Sequence, residues 1–143
     1  MKGNGFTRFY TVLTGVLFAA MLLCCTEKAP APPVDEGLVA GGVALECYKA
    51  LYIQKRPEVF LRKRIMADNI NEEQREQLIT LYKQHVLRIE RERGAVRNID
   101  FSRAEPDTAL HVMQVFLKLN YGDGTHEEIV VPMVQVHGEW RME

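Results

Sequence analysis

Cysteine is scarce in this 143-residue chain: two of its 3 stand side by side at Cys24 and Cys25, and only Cys47 lies further on. One thiol cannot close an intramolecular disulfide, so an oxidising compartment would add no crosslink to the fold. Histidine is sparse too. The 4 imidazoles, His85, His111, His126 and His137, never fall at i,i+4, and no Cys-x-x-Cys occurs, which excludes the usual zinc patterns. "DGT" at Asp123 to Thr125 begins like a calcium loop but lacks the later acidic ligands, so it reads as a hairpin turn. Basic charge is not in excess, with 18 Lys and Arg against 19 acids; such a chain is a poor holder of nucleic acid phosphates. There is no internal repeat and no catalytic, metal-binding or cofactor signature. The expectation is therefore no assembled catalytic set, no metal and no cofactor.

What is present begins with a leader. Lys2 and Arg8 precede the apolar run from Phe9 to Leu23, which falls short of the roughly 20 apolar residues of a membrane-spanning helix. It matches a signal-peptide h-region of about 7 to 15 residues better. Instead of ending in small residues, the run leads through leucine straight into cysteine, which resembles the lipobox of bacterial lipoproteins. That resemblance implies that the first mature residue is an acylated cysteine. Cys25, with Leu22 at minus three and the small Cys24 before it, is favoured over Cys24, which follows bulky Leu23. An uncleaved anchor with two buried thiols is the alternative. Each buried methylene adds about 0.8 kcal/mol to membrane affinity, so several acyl chains would hold a domain at a bilayer. The expected organisation is a lipoprotein signal peptide over 1–24, a lipid anchor and proline-rich tether over 25–35, and one domain over 36–143. Loss of the leader would leave 119 residues with 16 Lys and Arg against 19 acids, formally −3. The expected location is the bacterial cell envelope, at the periplasmic face of the inner membrane or at the outer membrane.

Within the domain, helical periodicity comes first. Gly41, Ala44, Leu45, Tyr48, Leu51 and Tyr52 recur at helical spacing between Glu36 and about Lys55. Gly41 and Gly42 either mark the start of that helix or permit close approach of another backbone. Pro57 suits the first turn of a short second helix. Asn71 with Gln74 forms a capping box for a third, which stops at Gly94 and carries the stripe Leu78, Leu81, Tyr82, His85 and Ile89. After Gly94 the period becomes two: "AVRNIDFS", then "ALHVMQVFLKLNY" with His111, Met113, Val115, Leu117 and Leu119 in phase, then the turn at Asp123 and Gly124. "EEIVVPMVQV" follows, with Pro132 marking an edge or a bulge, and a turn at His137 and Gly138 leads into "EWRME". Three helices and then four strands predict an α+β domain, its helices packed on one face of a curved four-stranded antiparallel sheet.

The paired cysteines, the helices-first order and the closing "YGDGTHEEIVVPMVQVHGEWRME" with Gly138-Glu139-Trp140 together resemble the small bacterial lipoprotein domains of unknown function in the nuclear-transport-factor-two-like superfamily, whose members share a cystatin-like cone. The resemblance spans roughly Val34 to Glu143. It implies a cone of curved sheet around helices, able to hold a small molecule at its open end, and it carries over no catalytic residue.

Five side chains are candidates to line such a cone. His111 and His85 are titratable near neutral pH, and Tyr48, Tyr52 and Tyr82 could offer hydroxyls. Each has a plainer role as core or structural residue. Cys47 has no histidine nearby in sequence and reads as inert. The basic groups from Lys55 to Arg64 and the Arg88 to Arg93 run read mainly as solvated faces, with Arg62 to Arg64 available to anionic headgroups or a partner. The function expected is a non-catalytic module that binds a small molecule or an envelope protein. The alternatives are an enzyme of the ketosteroid isomerase-like or dehydratase-like type using a cone histidine as base, and a structural module that pairs two copies as a homodimer.

Overall fold

The carboxylate of Asp35 accepts hydrogen bonds from the N–H groups of Gly37 and Leu38 at 2.9 and 3.2 Å, meeting donors that a helix start leaves unpaired. In the computed structural model, which describes residues 34–143, these caps open helix α1, Glu36–Tyr52. The expected leader over 1–24, Cys25 and nearly all of the expected tether lie outside the described residues. The buried face of α1 is built from small residues, Ala40, Gly41, Ala44 and Cys47 among them, so the helix lies close to the sheet. At Gly41 an added Cβ would come within 2.3 Å of the Phe101 ring. Close approach is thus the reason for this glycine; Gly42, by contrast, faces open space.

Pro57 supplies a first helical residue without an N–H and opens α2, Pro57–Arg62. A 3-10 turn over Ile65–Asp68 follows. The third helix, α3 (Glu72–Arg93), begins with the predicted capping box: Asn71 and Gln74 bond reciprocally at 2.9 Å each. It ends at Gly94, whose φ of +79° favours glycine and whose Cβ, if present, would sit 2.9 Å from the Cα of Gly122. The chain then makes four strands, β1 (Val96–Asp107), β2 (Val112–Tyr121), β3 (His126–Val136) and β4 (Glu139–Met142). They form one antiparallel sheet in the order β1-β2-β3-β4. This is the α+β architecture that the periodicities predict.

Register explains the curvature. Two irregularities interrupt the β1–β2 pairing, between Val96 and Asn98 and between Phe101 and Arg103, and such bulges bend and twist a strand. After the second, the inward set of β1 changes from Ile99 and Phe101 to Ala104 and Pro106, opposite Val115 and Met113. Val115, Leu117, Leu119, Met133 and Met142 form the floor of the concave face at no more than 1% exposure. Phe60 of α2 and Leu51 of α1 cover them. The far edge of β4 is covered as well, since Met142 donates its N–H to the carbonyl of Lys63 at 2.9 Å.

Three details differ from the sequence reading. His111 is not an inward strand residue; it is exposed in the turn before β2, with a left-handed φ of 55°. The inward alternation thus begins at Met113, two residues later than expected. Leu81 is 58% exposed, because the seam of α3 runs through Tyr82, Val86 and Ile89 instead. Pro132 lies neither on an edge strand nor in a bulge. It pairs in register with Gln114 between β2 and β4, and its carbonyl accepts from the N–H of Glu143 at 3.0 Å. The N–H that Pro132 lacks would have served the Glu143 carbonyl, and Arg64 donates there instead at 2.5 Å. Among the described residues no helix is long and apolar enough to cross a membrane.

Candidate functional site

The C-terminal part of α1 and the middle of α3 bring Tyr52 and His85 together. Tyr52 Oη and His85 Nε2 are 2.8 Å apart, while Nδ1 of the same ring is 3.2 Å from Nη2 of Arg88. A guanidinium has only donors, so Nδ1 accepts and the neutral ring carries its proton on Nε2, which donates to Tyr52. Burial, then Arg88, holds the imidazole below its ordinary pKa. Burial pushes the Tyr52 phenol up to about 12. The pair is therefore neutral near pH 7, and the lone pair that a base would use faces Arg88.

A second polar group closes the same end of the domain. The Tyr121 hydroxyl donates to Glu127, and Arg93 Nη1 reaches the other oxygen of that carboxylate at 2.6 Å. The Arg93 guanidinium also lies 3.7 Å over the Tyr121 ring and donates to Thr125 Oγ1 at 2.9 Å. These bonds hold Glu127 below the usual carboxylate range, that of Tyr121 foremost. The arrangement ties the end of α3 to the β2–β3 hairpin. Its polar atoms are spent on one another: among the described residues, Arg64 Nε is the one buried side-chain N or O without a partner.

The other candidates lie apart. Tyr48 and Tyr82 pack edge-on against Phe60, with ring centroids 5.2 and 5.1 Å away, as parts of the apolar interior. His111 borders a shallow cleft at the opposite end of α1, with Glu36, Asp107 and Trp140 on its walls. Cys47 is buried, and desolvation raises its thiol pKa to about 11, so thiolate is scarce near neutrality. Ser102, the chain's one serine, is exposed on β1. No group of three His, Cys, Asp or Glu among the described residues could hold a metal ion.

An apolar concavity lies on the outside, between the helices. Leu51, Pro57, Val86 and Leu87 form its floor, with Lys55, Lys83 and Glu90 at its rim, and it encloses about 320 Å3. Lys55 crosses the rim to pair with Glu90. Sequence reasoning missed this groove, since its walls come from three helices and no periodicity shows how they meet. It also missed Tyr121, Glu127 and Arg93. A signal for Glu127 did exist: it is an acid in phase with Ile129, Val131 and Met133 on the inward side of β3.

No protein-family model matches the chain, and none of the curated proteins matches it. Among solved structures it is similar to a Campylobacter jejuni protein described as an NTF2-like transpeptidase, with a TM-score of 0.55 at 10% identity, over 71% of this chain and 94% of that one. The described domain has an NTF2-like fold.

Proposed function

We propose that this chain is a bacterial envelope lipoprotein whose NTF2-like domain binds a ligand or partner without transforming it. The observation that carries the binding reading is the state of the polar groups in the cone. His85 is engaged by Tyr52 and Arg88, Tyr121 and Arg93 share the Glu127 carboxylate, and the concave face beneath them is filled with side chains. An accessible concavity remains outside, between the helices. The anchor rests on the leader and on the leucine-to-cysteine junction that precedes Cys25. Intact-mass measurement of protein taken from cells tests it: residues 1–24 are lost and Cys25 carries acyl chains. A leader still present, with an unmodified thiol at position 25, would refute it.

A second reading has one observation in its favour. The Tyr52–His85 bond of 2.8 Å is a hydroxyl–imidazole pair of the kind an acid–base enzyme uses. Catalysis would require Arg88 to leave Nδ1. Transpeptidation, the activity in the description of the Campylobacter jejuni protein, has less support, since Cys47 is buried and protonated and Ser102 has no imidazole among its hydrogen-bond partners. Turnover that survives Cys47→Ala and Ser102→Ala but is lost in His85→Gln would select the acid–base enzyme over the binder.

A further inference from the structure

We propose that the groove between α1, α2 and α3 takes a single-chain anionic amphiphile, a fatty carboxylate, with its alkyl chain on the floor and its head group at Lys83. This rests on the binding reading of the domain and not on the lipid anchor. The floor is made of Leu51, Pro57, Val86 and Leu87, and Leu87 remains 55% exposed. Leu51, Pro57 and Val86 are otherwise buried, so the apolar surface left to water there is chiefly that of Leu87, which an alkyl chain would cover. The enclosed volume of about 320 Å3 is at the small end of the roughly 300–1,000 Å3 found for ligand sites, which suits one slender chain. The rim carries two ammonium groups and one carboxylate. Lys55 neutralises Glu90, and Lys83 forms no ion pair among the described residues, so the rim has one positive charge to offer an anion.

The backbone brings Lys55 to the rim. After α1 the chain reverses, so that Arg56 returns its N–H to the Ala50 carbonyl at 2.8 Å, and Lys55 takes a left-handed φ of 59° in that reversal.

Photolabelling tests the proposal on the full chain. A diazirine-bearing dodecanoate is irradiated with the protein, and crosslinked peptides are mapped by mass spectrometry. Crosslinks are expected in 51–57 and 83–90, displaced by dodecanoate at a concentration at least tenfold below that needed of dodecanol. Leu87→Glu and Lys83→Glu should each lower labelling about tenfold, roughly 1.4 kcal/mol of binding, while Leu81→Glu, an equally exposed leucine outside the groove, leaves it unchanged. Circular dichroism of the variants checks that all remain folded. Labelling that Leu87→Glu and Leu81→Glu affect alike would overturn the proposal. Crosslinks focused at another site of the folded domain would overturn the groove while sparing the binding reading, and their complete absence from residues 34–143 would count against both.

Discussion

At Gly41 two opposing effects can be weighed. Alanine there would gain about 1 kcal/mol of helix propensity, but its Cβ would meet the Phe101 ring at 2.3 Å. That ring packs against the core opposite Leu117, and overpacking of this kind costs roughly 1–3 kcal/mol. The clash wins, so Gly41→Ala should destabilise the domain by about 1 kcal/mol in urea unfolding. Gly42→Ala, one residue on and facing open space, should stabilise it by about 0.5–1 kcal/mol. His85 offers a pH test at the same scale. Its folded pKa lies below the ordinary 6.5, so between these two values the unfolded chain binds more protons and stability rises with pH. The contribution is complete above 6.5 and is lost as pH falls toward the lowered value. Thermal unfolding followed from pH 7 downward should show this loss in the wild type, and His85→Gln should reduce it.

Among the elements, the contact between α3 and the β2–β3 hairpin is held by polar groups. Arg93 and Tyr121 share the Glu127 carboxylate. The group is partly exposed, so its ion pair is worth about 0.2–1 kcal/mol. Glu127→Gln should therefore leave global stability nearly intact, yet quicken amide hydrogen exchange across Tyr121 to His126 without quickening it in α1. The Glu127 pKa is depressed, so this contribution is present above the ordinary carboxylate range and is lost as pH falls through the lowered value. Local signals made much of this level legible in the sequence. Asn71 with Gln74, Pro57, Gly94 and the Asp123-Gly124 turn act within a few residues, and each stands where it was expected. The bulges in β1 were not legible, because a bulge exists only relative to the partner strand. His111 was misplaced for a related reason: its apolar neighbours continue the alternation, whereas the turn from Asp107, which accepts N–H bonds from Ala109 and Leu110, decides where β2 starts. The Tyr52–His85 pair joins residues 33 apart. Both were candidates, but their meeting depends on how α1 crosses α3.

For the molecule as a whole, the decisive question is whether the cone is a chamber or a core. Leu117 lies at its centre, completely buried, with Val115 and Leu119 beside it on β2 and Met133 on the next strand. In a tightly filled interior, truncation to alanine removes both transfer energy and packing, about 2–5 kcal/mol for leucine. That is a large part of the roughly 5–15 kcal/mol by which a domain is stable. A hollow, hydrated cone would lose less, since the side chain would already border water on one side. Leu117→Ala should thus lower the urea midpoint sharply with an unchanged slope, by several times the effect of Leu81→Ala on the exposed side of α3. A small effect at Leu117 would mean that the cone is open. Binding would then have to be sought inside it, at Tyr52 and His85, and no longer in the groove between the helices.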